Sequence, residues 1–158
     1  MLPEWSEDSL SDFKYLDGGF TNNNFVFERR HHNLTKKYVL RSPFIAQPLQ
    51  NRVNEFDLYK SLDASVSPDL LAFDRDSGAM VTCYVEGRLL VDSPAGHHEP
   101  DKLAQYIKNL HSVLPSTEKR YDLPSLMSAY VPEFNEKDFP EIRKLEQGVP
   151  CHNDLNPW

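Results

Sequence analysis

Two apolar–turn–apolar units bracket one helical stretch in the first half of the chain, and only helical patterns follow. Phe25-Val26-Phe27 and Tyr38-Val39-Leu40-Arg41 flank the polar segment 31–37. Leu70-Leu71-Ala72-Phe73 and Ala79-Met80-Val81-Thr82-Cys83-Tyr84 flank Asp74-Arg75-Asp76-Ser77-Gly78. Short aromatic and β-branched runs on either side of a polar turn read as β-hairpins. Pro43 closes the first return strand, because proline cannot extend a ladder. Between the hairpins, Val53, Phe56, Tyr59 and Leu62 recur every three residues, which predicts a helix over about 51–62. Residues 3–15, with Trp5, Leu10 and Phe13, read as a short opening helix.

After the connector Val85-Glu86-Gly87-Arg88, the strand pattern stops. Leu103, Tyr106, Ile107, Leu110, His111 and Leu114 lie on one helical stripe, read as core, between Pro100 and Pro115. Leu126 to Val131 and Ile142 to Leu145 predict two shorter helices. Strands first and helices afterwards point to an α+β fold rather than a parallel βαβ sheet.

Charge narrows the partners. The 158 residues carry 17 basic and 24 acidic side chains, a formal net charge of -7. An acidic chain with no long basic block is a poor ligand for a nucleic-acid backbone, so no nucleic acid is expected. No run approaches the ~20 apolar residues of a membrane span. No basic-then-apolar leader opens the chain. No membrane and a cytoplasmic setting are therefore expected. Cys83 and Cys151 are too few and too far apart for a disulfide framework or zinc site. His31-His32 and His97-His98 lack Cys or Asp partners at ligand spacing. Apolar residues make up 39% of the chain, lean beside the roughly 45–50% of ordinary domains.

Chemistry-bearing residues fall in a fixed order. Asp17-Gly18-Gly19-Phe20-Thr21-Asn22-Asn23-Asn24 is a turn whose glycines let backbone N–H groups approach phosphate. Arg41 is a cation on the next strand, and Glu55 a carboxylate on the following helix that can hold a guanidinium. Cys151-His152-Asn153-Asp154-Leu155-Asn156-Pro157 lies at the end of the chain, before Trp158. Alone it is ordinary Asn/Asp turn chemistry. Its Asp could also accept a proton from a substrate hydroxyl. In that order these are the parts of a kinase-like phosphotransferase.

The chain resembles the choline kinase and aminoglycoside phosphotransferase superfamily, most of all the bacterial choline kinases of the lipopolysaccharide-choline type. Leu16-Asp17-Gly18-Gly19-Phe20-Thr21-Asn22-Asn23-Asn24-Phe25 is similar to that family's nucleotide loop. Tyr38-Val39-Leu40-Arg41 is similar to its cation-bearing strand, and Asn51-Arg52 with Asn54-Glu55 to its paired-glutamate helix. Pro68-Asp69-Leu70-Leu71-Ala72-Phe73 and Val81-Thr82-Cys83-Tyr84-Val85-Glu86-Gly87 resemble the strands leading to its hinge. His152-Asn153-Asp154-Leu155-Asn156-Pro157 is the most specific match.

The resemblance implies a protein-kinase-like two-lobe fold. Residues 1–86 would form an antiparallel β N-lobe with one helix that binds nucleotide. Residues 87–158 would begin a helical C-lobe, truncated inside the catalytic loop. ATP and magnesium are the implied cofactors, and a small alcohol such as choline the implied acceptor. Asp154 would act as catalytic base and His152 would hold its loop. Gly18, Gly19, Thr21 and Asn22 would cover the phosphates, and Arg41 would contact phosphate and pair with Glu55. Cys83, Tyr84 and Val85 would line the adenine. The family's metal-binding Asn would fall just past Trp158, and its metal-binding Asp further on. The fragment is therefore expected to be inactive alone, with exposed apolar C-lobe surface favouring self-association. The alternative is a non-catalytic, kinase-like binding or association module.

Overall fold

The structure, a computed structural model, describes residues 5–6, 9–17, 20–46, 50–87, 100–114, 122–135 and 137. The chain divides into two compact units, Met1–Val85 and Glu86–Trp158.

The first unit is one antiparallel sheet and one helix: β1 (Leu10–Leu16), β2 (Asn22–His31), β3 (Leu34–Pro43), α1 (Arg52–Ser61), β4 (Leu70–Phe73) and β5 (Met80–Cys83). The strands lie in the order β1-β2-β3-β5-β4. β2 and β3 pair in unbroken register from Asn22↔Pro43 to His31↔Leu34. Only His32 and Asn33 are left for the turn, so the hairpin is longer and tighter than the polar segment 31–37 implied. A ladder is made by backbone groups, and polar side chains join it where both faces meet water. His32 has φ 54° and Asn33 does not share the positive sign. That is the II′ pattern, whose twist suits the flanking strands.

The opening helix is corrected to strand β1. Leu10, Phe13 and Tyr15 are spaced three and then two, and the spacing of three mimics a helix. Its cause is a β-bulge: the β1–β2 register shifts between Ser11 and Lys14, and Asp12 takes φ 53°. One extra residue is absorbed there, so Phe13 returns to the face of Leu10. Aspartate tolerates this left-handed conformation better than most residues.

Side chains alternate across the sheet, giving it two unlike faces. One is aromatic. Phe27 stacks on Phe13 at 5.0 Å between centroids and lies 5.7 Å from Tyr38. Trp5 packs against Tyr38 at 4.9 Å, and Tyr15 meets Phe25 edge-on at 5.5 Å. Phe27 and Tyr38 are the buried apolar side chains among the described residues. Removing one such ring from water is worth about 1.5–3 kcal/mol.

The other face carries Arg41 and receives α1. Asn51 caps that helix, its side chain accepting from the Asn54 N–H at 3.0 Å. Phe56 and Tyr59 lie 5.5 and 6.5 Å from Phe73 of β4, which seats α1 against the sheet.

The second unit holds α2 (Pro100–Val113) and α3 (Leu123–Tyr130). Asp122 caps α3 by accepting from the Ser125 N–H and hydroxyl at 3.3 and 2.6 Å. The apolar stripe of α2 forms the expected helix but is not packed core, since no residue of α2 is buried. Periodicity dictates a helix, whereas burial needs a partner surface that periodicity cannot supply. The helix expected over Ile142 to Leu145 lies outside the described residues. Among the described residues, no helix is long and apolar enough to cross a membrane.

Phe27 joins the β1, β3 and N-terminal aromatic contributions, so Phe27→Ala should remove the centre of this cluster. The expected loss is about 3–5 kcal/mol, read as a large fall in the urea midpoint with the Trp5 fluorescence change.

Candidate functional site

Strand register brings the candidate residues of the first unit to one end of the sheet. Leu16, at the end of β1, pairs with Asn24. Asn24 in turn faces Arg41 on β3, and Arg41 faces Met80 at the start of β5. The loop between β1 and β2 therefore emerges beside the Arg41 strand position. Thr21 ties this loop down: its carbonyl accepts from the Phe44 and Ile45 N–H groups at 3.1 and 3.4 Å. Asn22 donates through Nδ2 to the Thr21 hydroxyl at 3.0 Å. Gly18 and Gly19 lie outside the described residues.

Arg41 and Glu55 meet. Arg41 Nη2 donates to Glu55 Oε1 at 2.6 Å and to the Gly78 carbonyl at 3.0 Å. The second carboxylate oxygen is taken by another cation, Arg52, whose Nη1 lies 2.7 Å from Oε2. The side chains of Arg41, Glu55 and Arg52 are only 16%, 17% and 15% exposed. Hydrogen bonds to charged partners in such places are worth about 1.5–3 kcal/mol each. The aromatic ring of Tyr59 lies 5.9 Å from the Arg41 guanidinium carbon.

The balance of this cluster matters more than its strength. Two guanidinium groups share one carboxylate, leaving one positive charge over. Arg41 Nε is buried and has no hydrogen-bond partner. A desolvated donor on a cation in surplus is costly unless an anion completes it.

Sequence reasoning missed Arg52 and Gly78. Arg52 lies three residues before Glu55 on the same helix, the spacing at which helical side chains meet, so its signal was present. Gly78 has φ 75°. A Cβ built there would run into the Arg52 guanidinium. The glycine thus serves both its own backbone and the close approach of Arg52.

Cys83 ends β5, and Tyr84 and Val85 follow it. The Cys83 N–H donates to the Asp69 carbonyl at 3.0 Å and the Tyr84 N–H to the Lys37 carbonyl at 3.1 Å. Those two amides are therefore spent within the first unit. Val85 is well exposed. Burial pushes the Cys83 thiol up, and the nearby Asp69 charge adds to the shift. Both effects favour the thiol over the reactive thiolate at neutral pH. In the β4–β5 turn, Asp74 is held below the usual carboxylate range, first by the Ser77 hydroxyl and then by the Asp76 N–H. His152 and Asp154 lie outside the described residues.

A groove of about 440 Å³ opens on the aromatic face, lined by Trp5, Phe13, Phe27, Leu40 and Val81 among others. Leu40 and Arg41 are neighbours on β3 and point to opposite faces. This groove is therefore not the Arg41 site.

Neither family models nor curated proteins match the chain. Among solved structures it is similar to a choline/ethanolamine kinase family protein from Mesorhizobium loti, 26% identical with a TM-score of 0.53 over 77% of this chain. It is also similar to choline kinase LicA from Streptococcus pneumoniae, 25% identical with a TM-score of 0.49 over 70% of this chain. The chain spans 39% of the length of each. The first likeness carries the argument: in fold, the chain is of the choline kinase-like superfamily, α+β with an antiparallel five-stranded sheet followed by helices.

Gly78→Ala should destabilise the first unit by about 1–3 kcal/mol, from left-handed strain together with the displaced Arg52 guanidinium. Urea unfolding would show it. An unchanged midpoint would mean that Gly78 carries neither constraint.

Proposed function

We propose that the first unit is the nucleotide-binding lobe of an ATP-dependent small-molecule kinase of the choline kinase type. In this reading, Arg41 contacts phosphate and Glu55 holds Arg41 in place. The observation that carries it is the unbalanced cluster: two nearly buried guanidinium groups, one carboxylate, and a buried Arg41 Nε without a partner. A phosphate oxygen supplies both the missing charge and the missing acceptor. The loop held by Thr21 and Asn22, with Gly18 and Gly19, would cover the phosphates. Along β5, Cys83 is three residues from Met80, the partner of Arg41. At ~3.3 Å per residue this is roughly 10 Å, room for a nucleoside between the strand exit and the cation. The committed Cys83 and Tyr84 amides make Val85 the candidate hinge group for adenine.

The acceptor would be a small alcohol such as choline, in keeping with the name of the similar Mesorhizobium loti protein. Asp154 would orient the attacking hydroxyl and take its proton, and His152 would fix the loop. Magnesium finds no such support among the described residues, where no group of three or more His, Cys, Asp or Glu side chains could hold a metal ion.

Calorimetry with ATP and with adenosine tests the reading. ATP should bind more tightly than adenosine, and Arg41→Ala should weaken ATP at least tenfold while adenosine is unchanged. Equal affinities for ATP and adenosine would remove the phosphate role of Arg41. Transfer of phosphate from ATP to choline by this chain, lost in Asp154→Ala, identifies a catalyst. ATP binding without transfer identifies a nucleotide-binding module.

A further inference from the structure

We infer that the tip of the β2–β3 hairpin is a docking surface for an anionic lipid membrane. In a chain of net charge -7, the stretch Glu28-Arg29-Arg30-His31-His32-Asn33-Leu34-Thr35-Lys36-Lys37 gathers four cations against one carboxylate. The hairpin register folds them onto one another. Arg29 lies directly across from Lys36, Arg30 from Thr35, and Glu28 from Lys37. Every residue from Arg30 to Lys37 is exposed.

Like charges placed opposite each other weaken a sheet. The Arg29–Lys36 pair is such a cost, and no carboxylate among the described residues forms an ion pair with either side chain. Arg29 spreads over the Trp5 ring at 4.7 Å, and its Nε is buried without a hydrogen-bond partner. Neither Arg30 nor Lys36 forms an ion pair with a described residue. A concentration of positive charge at a tip, with Arg30 and Lys36 unpaired among the described residues, is what a negatively charged surface would neutralise.

The nature of that surface follows from Leu34. It sits at the turn end of β3, paired with His31, and is 67% exposed. An apolar side chain at the very tip, with Arg30 and Lys36 within two ladder positions of it, suits a lipid headgroup layer: the leucine enters and the cations stay at the phosphates. Single-stranded nucleic acid is the weaker fit. Its binding relies on stacking platforms, and segment 28–37 holds no Phe, Tyr or Trp. Tyr38, the next aromatic residue, is buried. The surface lies away from the nucleotide candidate. Arg41 is seven residues from Leu34 along β3, roughly 23 Å at strand rise. The two proposals therefore stand or fall separately.

Co-sedimentation of the 158-residue chain with vesicles tests this. Binding is expected to vesicles of phosphatidylcholine with phosphatidylserine, not to phosphatidylcholine alone, with release as salt is raised. Neutralising one cation should weaken binding about fivefold, so the reversals Lys36→Glu and Arg30→Glu should each do at least that. Leu34→Ser should weaken binding while leaving its salt dependence intact. Lys36→Glu replaces a like-charge pair with an Arg29–Glu pair, so that variant should melt no earlier than the parent, keeping loss of binding distinct from loss of fold. ATP affinity should be the same in all variants. No binding to anionic vesicles at low salt overturns the inference. So does binding that is indifferent to both reversals, or salt-dependent retention on a single-stranded oligoribonucleotide without vesicle binding.

Discussion

The Glu55 carboxylate is the point on which the working end of the first unit depends. One oxygen takes Arg41 from β3, the other takes Arg52 from the first turn of α1. Arg41 reaches on to the Gly78 carbonyl in the turn between β4 and β5. The Arg41–Glu55 pair thereby ties β3, α1 and the β4–β5 turn together. Without Glu55, two cations would be left nearly buried and mutually repelling. The usual cost of an unpaired buried charge is about 3–5 kcal/mol, larger than most single packing losses. The helix cap reinforces the arrangement, because Asn51 starts α1 where Arg52 and Glu55 must face the sheet.

The two faces of the sheet divide the work. Aromatic rings from the N-terminal segment, β1, β2 and β3 supply the cohesion on one side. The opposite side is free to hold polar and charged groups that a small domain could not afford on both faces. This division rests on register. The Asp12 bulge matters for that reason: without the extra residue, Leu10 and Phe13 would fall on opposite faces. Phe27 would then lose its stacked partner.

The sequence was most legible where structure is local. Both hairpins, α1 and α2 follow from residue pattern alone, since each needs only neighbours within a few positions. β1 was misread because a bulge disguises alternation, and no local signal distinguishes Leu10-x-x-Phe13 in a bulged strand from the same spacing in a helix. The α2 stripe was read as core, although an amphipathic face states only that burial would be favourable. At the site, Arg41 and Glu55 were singled out by order and resemblance. Arg52 was legible as an i,i+3 partner of Glu55 but was given no role of its own. The steric role of Gly78 was not legible at all. It depends on where a helix guanidinium lands against a turn more than twenty residues away, which is tertiary geometry.

Net charge is a coarse guide for a similar reason. A value of -7 argues against broad attraction to anions, but screening confines each charge to about 8 Å at physiological salt. At that range only local balance counts. The first unit concentrates cations at two separated places, the Arg41–Arg52 pair and the tip of the β2–β3 hairpin. The first surplus is nearly buried and has a donor in search of a partner, conditions for a small anion held in a fixed geometry. The second is exposed, spread over both faces of a hairpin end and capped by a leucine, conditions for a broad surface rather than a pocket. Burial, not total charge, separates the two kinds of anion recognition proposed for this acidic chain.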